Sequence, residues 1–187
     1  DWPFVETWGA DSEVEFFDDL LACVTQQYNV DANRIYGIGV SAGGLWVTYL
    51  STTDRANHFA AIESLSGGLG SFEVNGTGWS MPYQPQANKF PSIVLWGGDT
   101  DWLGISFKDA SIAYRDALVA DGHFVVTCTH DQGHAVPPIE APPGTTKFAF
   151  LWQFMMDHPY TTPAGTSPWQ QTGLPSLAPS WCSIVTP

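Results

Sequence analysis

Basic residues are scarce in this chain. Its 187 residues include six Lys and Arg against 19 Asp and Glu, which gives a formal net charge of −13. Nucleic acids and anionic membrane surfaces are bound through basic patches, so this balance argues against both as partners. Polyanionic substrates are disfavoured for the same reason. Neutral esters, sugars and peptides remain open as substrates.

Long hydrophobic runs are absent and cysteines are few. No apolar stretch approaches the ~20 residues of a membrane-spanning helix, so we expect no membrane span. Cys23, Cys128 and Cys182 follow no zinc or redox spacing, and we expect no metal or organic cofactor. Cys182 lies in a Pro- and Ser-rich tail, where a disulfide to Cys128 would act as a tether. The alternative is three buried free thiols.

The most specific motif present is Gly39-Val40-Ser41-Ala42-Gly43. It follows an apolar run at 35–38 and precedes a run of helical character at 45–50. A serine on a sharp turn between a strand and a helix is the setting of a nucleophile elbow. We expect Gly39 and Gly43 to be steric requirements of that turn, with Gly44 adding slack. The alternative is a glycine-rich turn without chemistry.

Apolar strands and amphipathic helices alternate along the chain, after a loop at 1–10. This alternation favours a mostly parallel sheet with helices on both faces, in a single α/β domain over 1–160 with a turn-rich tail at 161–187. The segment at 70–90 has little periodicity, and we expect a loop or lid there. Strands are predicted at 34–40, 58–66, 91–96 and 124–129, and helices at 13–27, 42–51, 107–120 and 146–156.

Three predicted strand ends carry reactive side chains in the order serine, acid, histidine. Ligands bind at the carboxyl ends of the strands in such sheets, and this order is that of an α/β-hydrolase triad. Ser41 needs a base, and His134, just past the last strand, is preferred over His130 at the strand end itself. The orienting acid is Asp99 or Asp101, both in the turn after the third strand.

The remaining site residues are predicted from their positions around the elbow. The backbone N–H of Ala42, directly after the nucleophile, is expected to bind the oxyanion. Four side chains are candidates for the wall of a site that holds an apolar or aromatic acyl group: Trp46, Trp79, Met81 and Trp102. Aromatic residues at such places also commonly pack in the core, which is the competing interpretation.

These residues together resemble the α/β-hydrolase superfamily. More closely, they resemble the poly(3-hydroxybutyrate) depolymerase and feruloyl or acetylxylan esterase group of secreted esterases. The resemblance extends from about Asp11 to His158. It rests on the acidic aromatic helix at 13–20, the segment at 28–36 leading into the elbow, the segment at 59–68 and Gly133-His134. In this group the acid lies three residues after a glycine that closes the penultimate strand, so Gly98 points to Asp101.

The resemblance implies a serine esterase that needs no cofactor, secreted or in the cell envelope of a bacterium. Its substrate would be a carboxylic ester, such as a polyester, a feruloyl or acetyl ester, or a short-chain ester. A serine peptidase of the same fold is one alternative. A non-catalytic half-enzyme that binds a polymer or a partner through its aromatic surface is another, favoured by the nine Trp.

The chain departs from the superfamily in one respect. About four strands normally precede the elbow helix, one of them bearing the second oxyanion donor, and this chain has no counterpart for them. It therefore resembles the C-terminal two-thirds of such an enzyme, a partial α/β-hydrolase fold. The nucleophile strand is then expected to present a bare edge. A companion N-terminal segment or a homo-oligomer covering that edge is preferred over a free monomer or a short variant with a rearranged oxyanion hole.

Overall fold

The structure, a computed structural model, describes residues 10–74 and 77–186. The chain divides into two compact units, the first ending at Ala32 and the second beginning at Asn33. The first unit contains helix α1, Ala10–Gln27, which confirms the helix predicted at 13–27 and extends it by three residues. The predicted loop at 1–10 lies, up to residue 9, outside the described residues.

The second unit is built on a five-stranded sheet in the order β1-β2-β5-β6-β7. Strands β1, β2, β5 and β6 are parallel, and β7 joins β6 antiparallel. The register places Val40, Leu65 and Leu95 side by side across the first three of these strands. The strands are β1 Tyr36–Val40, β2 Ala61–Leu65, β5 Ser92–Trp96, β6 Val125–Thr129 and β7 Cys182–Ile184.

Helices cover both faces of this sheet. They are α2 Ala42–Ser51, α3 Phe107–Ala120, α4 Ala149–Asp157 and a short α5 Trp169–Thr172. On one face, Thr48 of α2 bonds Ser64 of β2 at 2.9 Å between hydroxyl oxygens. On the other face, Leu65 and Leu95 share a core cluster with Phe154 of α4. The predicted α/β architecture with a mostly parallel sheet is therefore confirmed.

The segment predicted as a loop or lid at 70–90 differs from the expectation. It contains a β-hairpin of β3, Gly70–Val74, and β4, Thr77–Met81, which pair only with each other within the described residues. The rings of Phe72 and Trp79, on directly paired positions, lie 5.0 Å apart. Such cross-strand aromatic pairs stabilise a hairpin whose polar sequence gives little periodicity.

The predicted start of the second strand is also corrected. Residues Asp54–His58 form a 3-10 helix, and β2 begins only at Ala61. The hydroxyl of Thr53 accepts the N–H of Arg55 at 3.2 Å, which caps that helix. A local side-chain bond of this kind gives the backbone an alternative to the sheet ladder.

The C-terminal tail is fixed to the sheet by a disulfide. Cys128 of β6 is bonded to Cys182 of β7, which confirms the pairing considered from the sequence, whereas Cys23 is a free, exposed thiol. The carbonyl oxygen of Trp181 accepts the N–H of Thr129 at 3.0 Å. The tail therefore contributes a fifth strand at the edge of the sheet nearest β6. Across residues 10–74 and 77–186, no helix combines the length and apolar character that crossing a membrane requires.

Candidate active site

Ser41 lies on a strained turn between β1 and α2. Its φ of 58° and ψ of −123° are unfavourable for a residue with a Cβ. Its N–H donates to the carbonyl oxygen of Leu65 at 2.9 Å, which ties the turn to the end of β2. The serine is therefore held at the carboxyl edge of the parallel sheet, as the motif predicts.

Of the three glycines around the turn, Gly39 has the expected role, whereas Gly43 and Gly44 do not. A Cβ at Gly39 would overlap the backbone of Gly43, so Gly39 is a steric requirement. A Cβ at Gly43 itself would meet nothing within 4 Å, which corrects the prediction for that position. Gly44 is required instead, because its Cβ would lie 2.8 Å from the carbonyl oxygen of Leu65. The helix and the end of β2 pack backbone to backbone at Gly44.

The structure brings Ser41, His134 and Asp101 together. His134 Nε2 lies 2.7 Å from Ser41 Oγ, and His134 Nδ1 lies 2.7 Å from Asp101 Oδ1. A carboxylate only accepts hydrogen bonds, so Nδ1 donates to it and Nε2 is left to accept the serine proton. The His134 loop is held in place by Gly133, with φ at 65°, whose N–H donates to Gly97.

Asp101 is held by more than the histidine. It is 1% exposed, and its second oxygen, Oδ2, accepts the hydroxyl of Ser66 and the N–H of Gly97, both at 2.8 Å. Ser66 is itself buried and has φ at 45°. These bonds fix the carboxylate and compensate for its burial. Sequence reasoning missed Ser66, and only its place at the end of β2 could have indicated it.

The two alternative residues lie outside this arrangement. Asp99 is exposed, and a hydrogen bond and ion pair at 2.6 Å to Lys108 lower the pKa of its carboxyl. His130 is buried at the end of β6, and its Nδ1 accepts the N–H of Gln132 at 3.1 Å. Burial lowers the pKa of His130. The contacts to Ser41 and to the imidazole are thus made by His134 and Asp101, and not by His130 and Asp99.

An aromatic contact completes the surroundings of His134. The ring of Phe107, the first residue of α3, stacks on the His134 imidazole with centroids 4.2 Å apart and planes 21° apart. The N–H of Phe107 donates to the carbonyl oxygen of Asp101 at 3.0 Å. Sequence reasoning did not single out Phe107, because an apolar residue at a helix start carries no distinctive signal.

Ala42 is the first residue of α2, directly after Ser41. The first N–H groups of a helix have no partner within the helix, and they are the donors that bind anions at helix N-termini. The position of Ala42 is therefore the one that the predicted oxyanion role requires.

The four predicted wall residues differ in their surroundings. Trp46 stacks on Tyr49 of its own helix at 5.9 Å, and Trp79 packs against the hairpin ring opposite it. Met81 is 2% exposed and lies in the core. Only Trp102, 64% exposed, directly follows a residue of the triad.

An apolar groove of about 530 Å³ lies beside the nucleophile strand. Its walls include Ile38 and Val40 of β1, Val136 just after the histidine, and Trp152 of α4. Ile38 and Val40 are 46% and 40% exposed. Within the described residues β1 is the outermost strand, so one of its edges is unpaired. Ile38 and Val40 thus belong both to the groove and to this outermost strand, and Val40 directly precedes Ser41.

One buried acid lies outside the arrangement of Ser41, His134 and Asp101. Glu63 of β2 is fully buried, and neither of its carboxyl oxygens has a hydrogen-bond partner among the described residues. Its register neighbours are Ile38 and Ile93, and burial raises the pKa of its carboxyl well above the usual range. Within residues 10–74 and 77–186, no cluster of three or more His, Cys, Asp or Glu is placed to hold a metal ion.

Comparison with known proteins gives one curated relative. No family model matches this chain. An oxidized polyvinyl alcohol hydrolase from Pseudomonas sp is 27% identical over a stretch covering 73% of this chain and 45% of the relative. This chain therefore spans less than half of that relative's length. The closer resemblance to poly(3-hydroxybutyrate) depolymerases and feruloyl esterases stays a prediction.

Solved structures share the fold. The crystal structure of native pOPH has a TM-score of 0.71 and 22% identity, covering 98% of this chain and 62% of the solved chain. The crystal structure of native sOPH has a TM-score of 0.64 and 20% identity, covering 95% of this chain and 60% of the solved chain. The α/β fold of this chain is therefore shared with about three-fifths of these longer solved chains.

Proposed function

We propose that this chain is a serine hydrolase that cleaves carboxylic esters through an acyl-enzyme. The observation that carries the proposal is the relay from Ser41 Oγ to His134 to Asp101, with both contacts at 2.7 Å. A serine hydroxyl is a weak nucleophile, and a base within hydrogen-bond reach, itself oriented by a third group, is what activates it.

In the first half-reaction, Ser41 Oγ attacks the ester carbonyl carbon while His134 Nε2 takes its proton. The carbonyl oxygen becomes an oxyanion, and the N–H of Ala42 donates to it. The proton on Nε2 then passes to the leaving alcohol oxygen as the ester C–O bond breaks. Asp101 stabilises the charged imidazolium and keeps Nδ1 protonated throughout.

In the second half-reaction, a water molecule attacks the acyl-enzyme carbonyl. His134 takes a proton from the water and returns it to Ser41 Oγ as the acyl–oxygen bond breaks. The products are an alcohol, a carboxylic acid and the free serine. Both half-reactions use the same three side chains, so no cofactor is required.

The substrate we propose is a neutral ester with an apolar acyl part, of low molecular weight or polymeric. The support is the apolar groove lined by Val40 and Val136, which lie one residue before Ser41 and two residues after His134 in the sequence. A net charge of −13 disfavours polyanionic substrates. The named substrate of the curated relative adds a second candidate, an oxidised carbonyl-bearing polymer, because the same nucleophile can attack any activated carbonyl carbon.

The test is covalent labelling read beside turnover. We expect a fluorophosphonate probe to label folded protein at Ser41, and p-nitrophenyl ester hydrolysis to be lost in Ser41→Ala. Aminoacyl p-nitroanilides and oxidised polyvinyl alcohol, assayed in parallel, separate a peptidase and a polymer hydrolase from an esterase. Failure of the probe to react, with unchanged ester turnover in Ser41→Ala, rejects the proposal. Polymer binding without turnover would support a binding protein instead.

We propose further that a companion segment or a second copy of this chain covers the free edge of β1. Unpaired edges next to apolar side chains recruit further strands, and Ile38 and Val40 are exposed there. Such a cover could also supply the second oxyanion donor. We expect light scattering to show self-association that Ile38→Lys abolishes. Leu103→Lys is the matched control, because it introduces the same charge at another exposed apolar residue that lies outside β1. If the protein is monomeric at all concentrations, a second copy does not cover the edge, and the companion segment is the proposal that remains.

We propose a secreted or cell-envelope location. The support is the disulfide between Cys128 and Cys182, because such bonds persist outside the reducing cytosol. Trapping thiols by alkylation in intact producing cells tests it. We expect Cys23 alone to be modified, and modification of all three cysteines would contradict this location.

A further inference from the structure

We propose that Phe107 is a positioning residue for the base, and that its ring face stabilises the charged form of the His134 imidazole. The expected effect on kcat rests on the proposed hydrolase function. The expected effect on the charge of the imidazole rests on the geometry alone. Phe107 is 4% exposed, so the contact with His134 is made away from bulk water.

The geometry is that of two stacked planes. With centroids 4.2 Å apart and planes 21° apart, the imidazole lies against the face of the phenyl ring. The face of an aromatic ring carries the negative part of its quadrupole, so it attracts a cation more strongly than a neutral ring. The contact is therefore worth more when His134 is protonated than when it is neutral.

The stronger contact of Phe107 with the protonated imidazole matters during the attack of Ser41. His134 gains a proton only as Ser41 attacks, so a group that prefers the imidazolium stabilises the transition state over the ground state. Asp101 does this at the Nδ1 edge of the ring, whereas Phe107 acts on its face. Together they also restrict rotation of the imidazole, which keeps Nε2 directed at Ser41 Oγ.

The backbone of Phe107 couples the two contacts. Its N–H donates to the carbonyl oxygen of Asp101 at 3.0 Å, and the next residue, Lys108, pairs with Asp99 at 2.6 Å. The start of α3 thus contacts the acid through its backbone and the base through a side chain. A shift of this helix end would therefore move His134 and Asp101 together.

The experiment replaces the ring while keeping apolar volume. In Phe107→Leu we expect kcat to fall about 5- to 30-fold with KM little changed, and the acidic limb of the pH–rate profile to move to lower pH. The direction follows because the protonated imidazole loses a stabilising neighbour. Phe107→Tyr, which keeps the ring face, should restore most of kcat and the position of that limb.

Phe90→Leu is the matched control. Phe90 is 2% exposed and its ring meets His123 edge-on, with centroids 4.4 Å apart and planes 64° apart. This variant removes a buried phenyl ring next to a histidine outside the triad. We expect a loss of stability with an unchanged pH–rate profile. Equal loss of kcat in Phe90→Leu and Phe107→Leu, with neither profile shifted, would mean that Phe107 only packs.

Two further measurements keep the test decisive. Fluorinated phenylalanines at position 107 keep the shape of the ring and weaken its face stepwise, so they apply even where Phe107→Leu fails to fold. We expect kcat to fall with each added fluorine, and a flat series overturns the inference. The pH at which the His134 ring is half protonated, followed by NMR, should fall along the same series.

The NMR measurement also separates the two proposals. A wild-type protein without hydrolytic activity, but with a half-protonation pH that falls on fluorination, would reject the function and keep the contact. An active wild type with no response to fluorination would do the reverse. The other charged groups on the surrounding elements, Asp101, Asp131 and the Asp99–Lys108 pair, are unchanged in these proteins, so they cannot produce the difference.

Discussion

Replacing both cysteines of the disulfide by alanine should destabilise the second unit strongly. Cys128 and Cys182 are separated by 54 residues in sequence. Closing a loop of that length in the unfolded chain removes entropy equivalent to about 4 kcal/mol at 25 °C. Cys128 is also fully buried, so the double variant loses some packing in addition. This total is a large part of the stability of an ordinary domain.

The measurement is urea unfolding of Cys128→Ala/Cys182→Ala against wild type, followed by the fluorescence of the nine Trp. We expect the midpoint to fall by an amount corresponding to about 4 kcal/mol, and the melting temperature by about 8–16 °C. Wild type kept under reducing agent has the same atoms without the cross-link, so it separates the chain constraint from lost packing. Cys23→Ala, at an exposed free thiol, should change the free energy by less than about 0.5 kcal/mol.

A loss below about 1 kcal/mol in both the reduced protein and the double variant would refute this reasoning, since it would mean that the tail is held to β6 by non-covalent contacts. The consequence for the site is also measurable. The backbone of Trp181 supports Thr129 at the end of β6, and its ring meets His130 edge-on. We expect the reduced protein to lose ester turnover before it unfolds globally.

Three further predictions concern single residues. Asp101→Asn should lower kcat by about 10⁴-fold in the ester assay, because the amide no longer holds the required tautomer, while Asp99→Asn should stay within about threefold. Gly39→Ala should yield little folded protein by circular dichroism, since its Cβ overlaps backbone, whereas Gly43→Ala should fold. Glu63→Gln should stabilise the fold relative to wild type, and increasingly so as pH rises above about 4.3, the pKa of a glutamate in the unfolded chain. The pKa of Glu63 is raised in the native state, so between the unfolded and the folded pKa the native protein keeps a proton that the unfolded chain loses. The free energy of unfolding of the wild type therefore falls as pH rises through this range, whereas that of Glu63→Gln does not. Urea midpoints of the two proteins that stay parallel between pH 4 and 8 would contradict this.

The sequence predicted the parts of the site that local chemistry dictates. The elbow could be found because a strained serine turn needs glycine where backbones meet, and Gly39 satisfies that need. His134 and an acid at 99 or 101 could be placed because parallel strands bring their carboxyl ends to one edge. The choice of Asp101 over Asp99 came from the family resemblance and not from the strand order. Gly43 was assigned the wrong role, because the motif does not show that the close approach to β2 occurs one residue later, at Gly44.

Features that depend on tertiary packing were not predictable in the same way. The bond from Ser66 to Asp101 joins residues 35 apart, and the stacking of Phe107 on His134 joins two elements with no shared pattern. Strand β7 is three residues long and lies beside β6 through its disulfide. The β3–β4 hairpin had one usable signal, the Asn-Gly dipeptide at 75–76, which is typical of hairpin turns.

The β3–β4 hairpin also makes this scaffold modular. It leaves the chain after β2 and returns before β5, and within the described residues it pairs with no strand of the main sheet. Leu69 and Met81, buried at its two ends, anchor it to the body of the protein. Hairpins of other lengths could therefore be inserted between Leu69 and Met81 without changing the strand pairing of the main sheet. The hairpin is thus a unit that can be replaced independently of Ser41, His134 and Asp101.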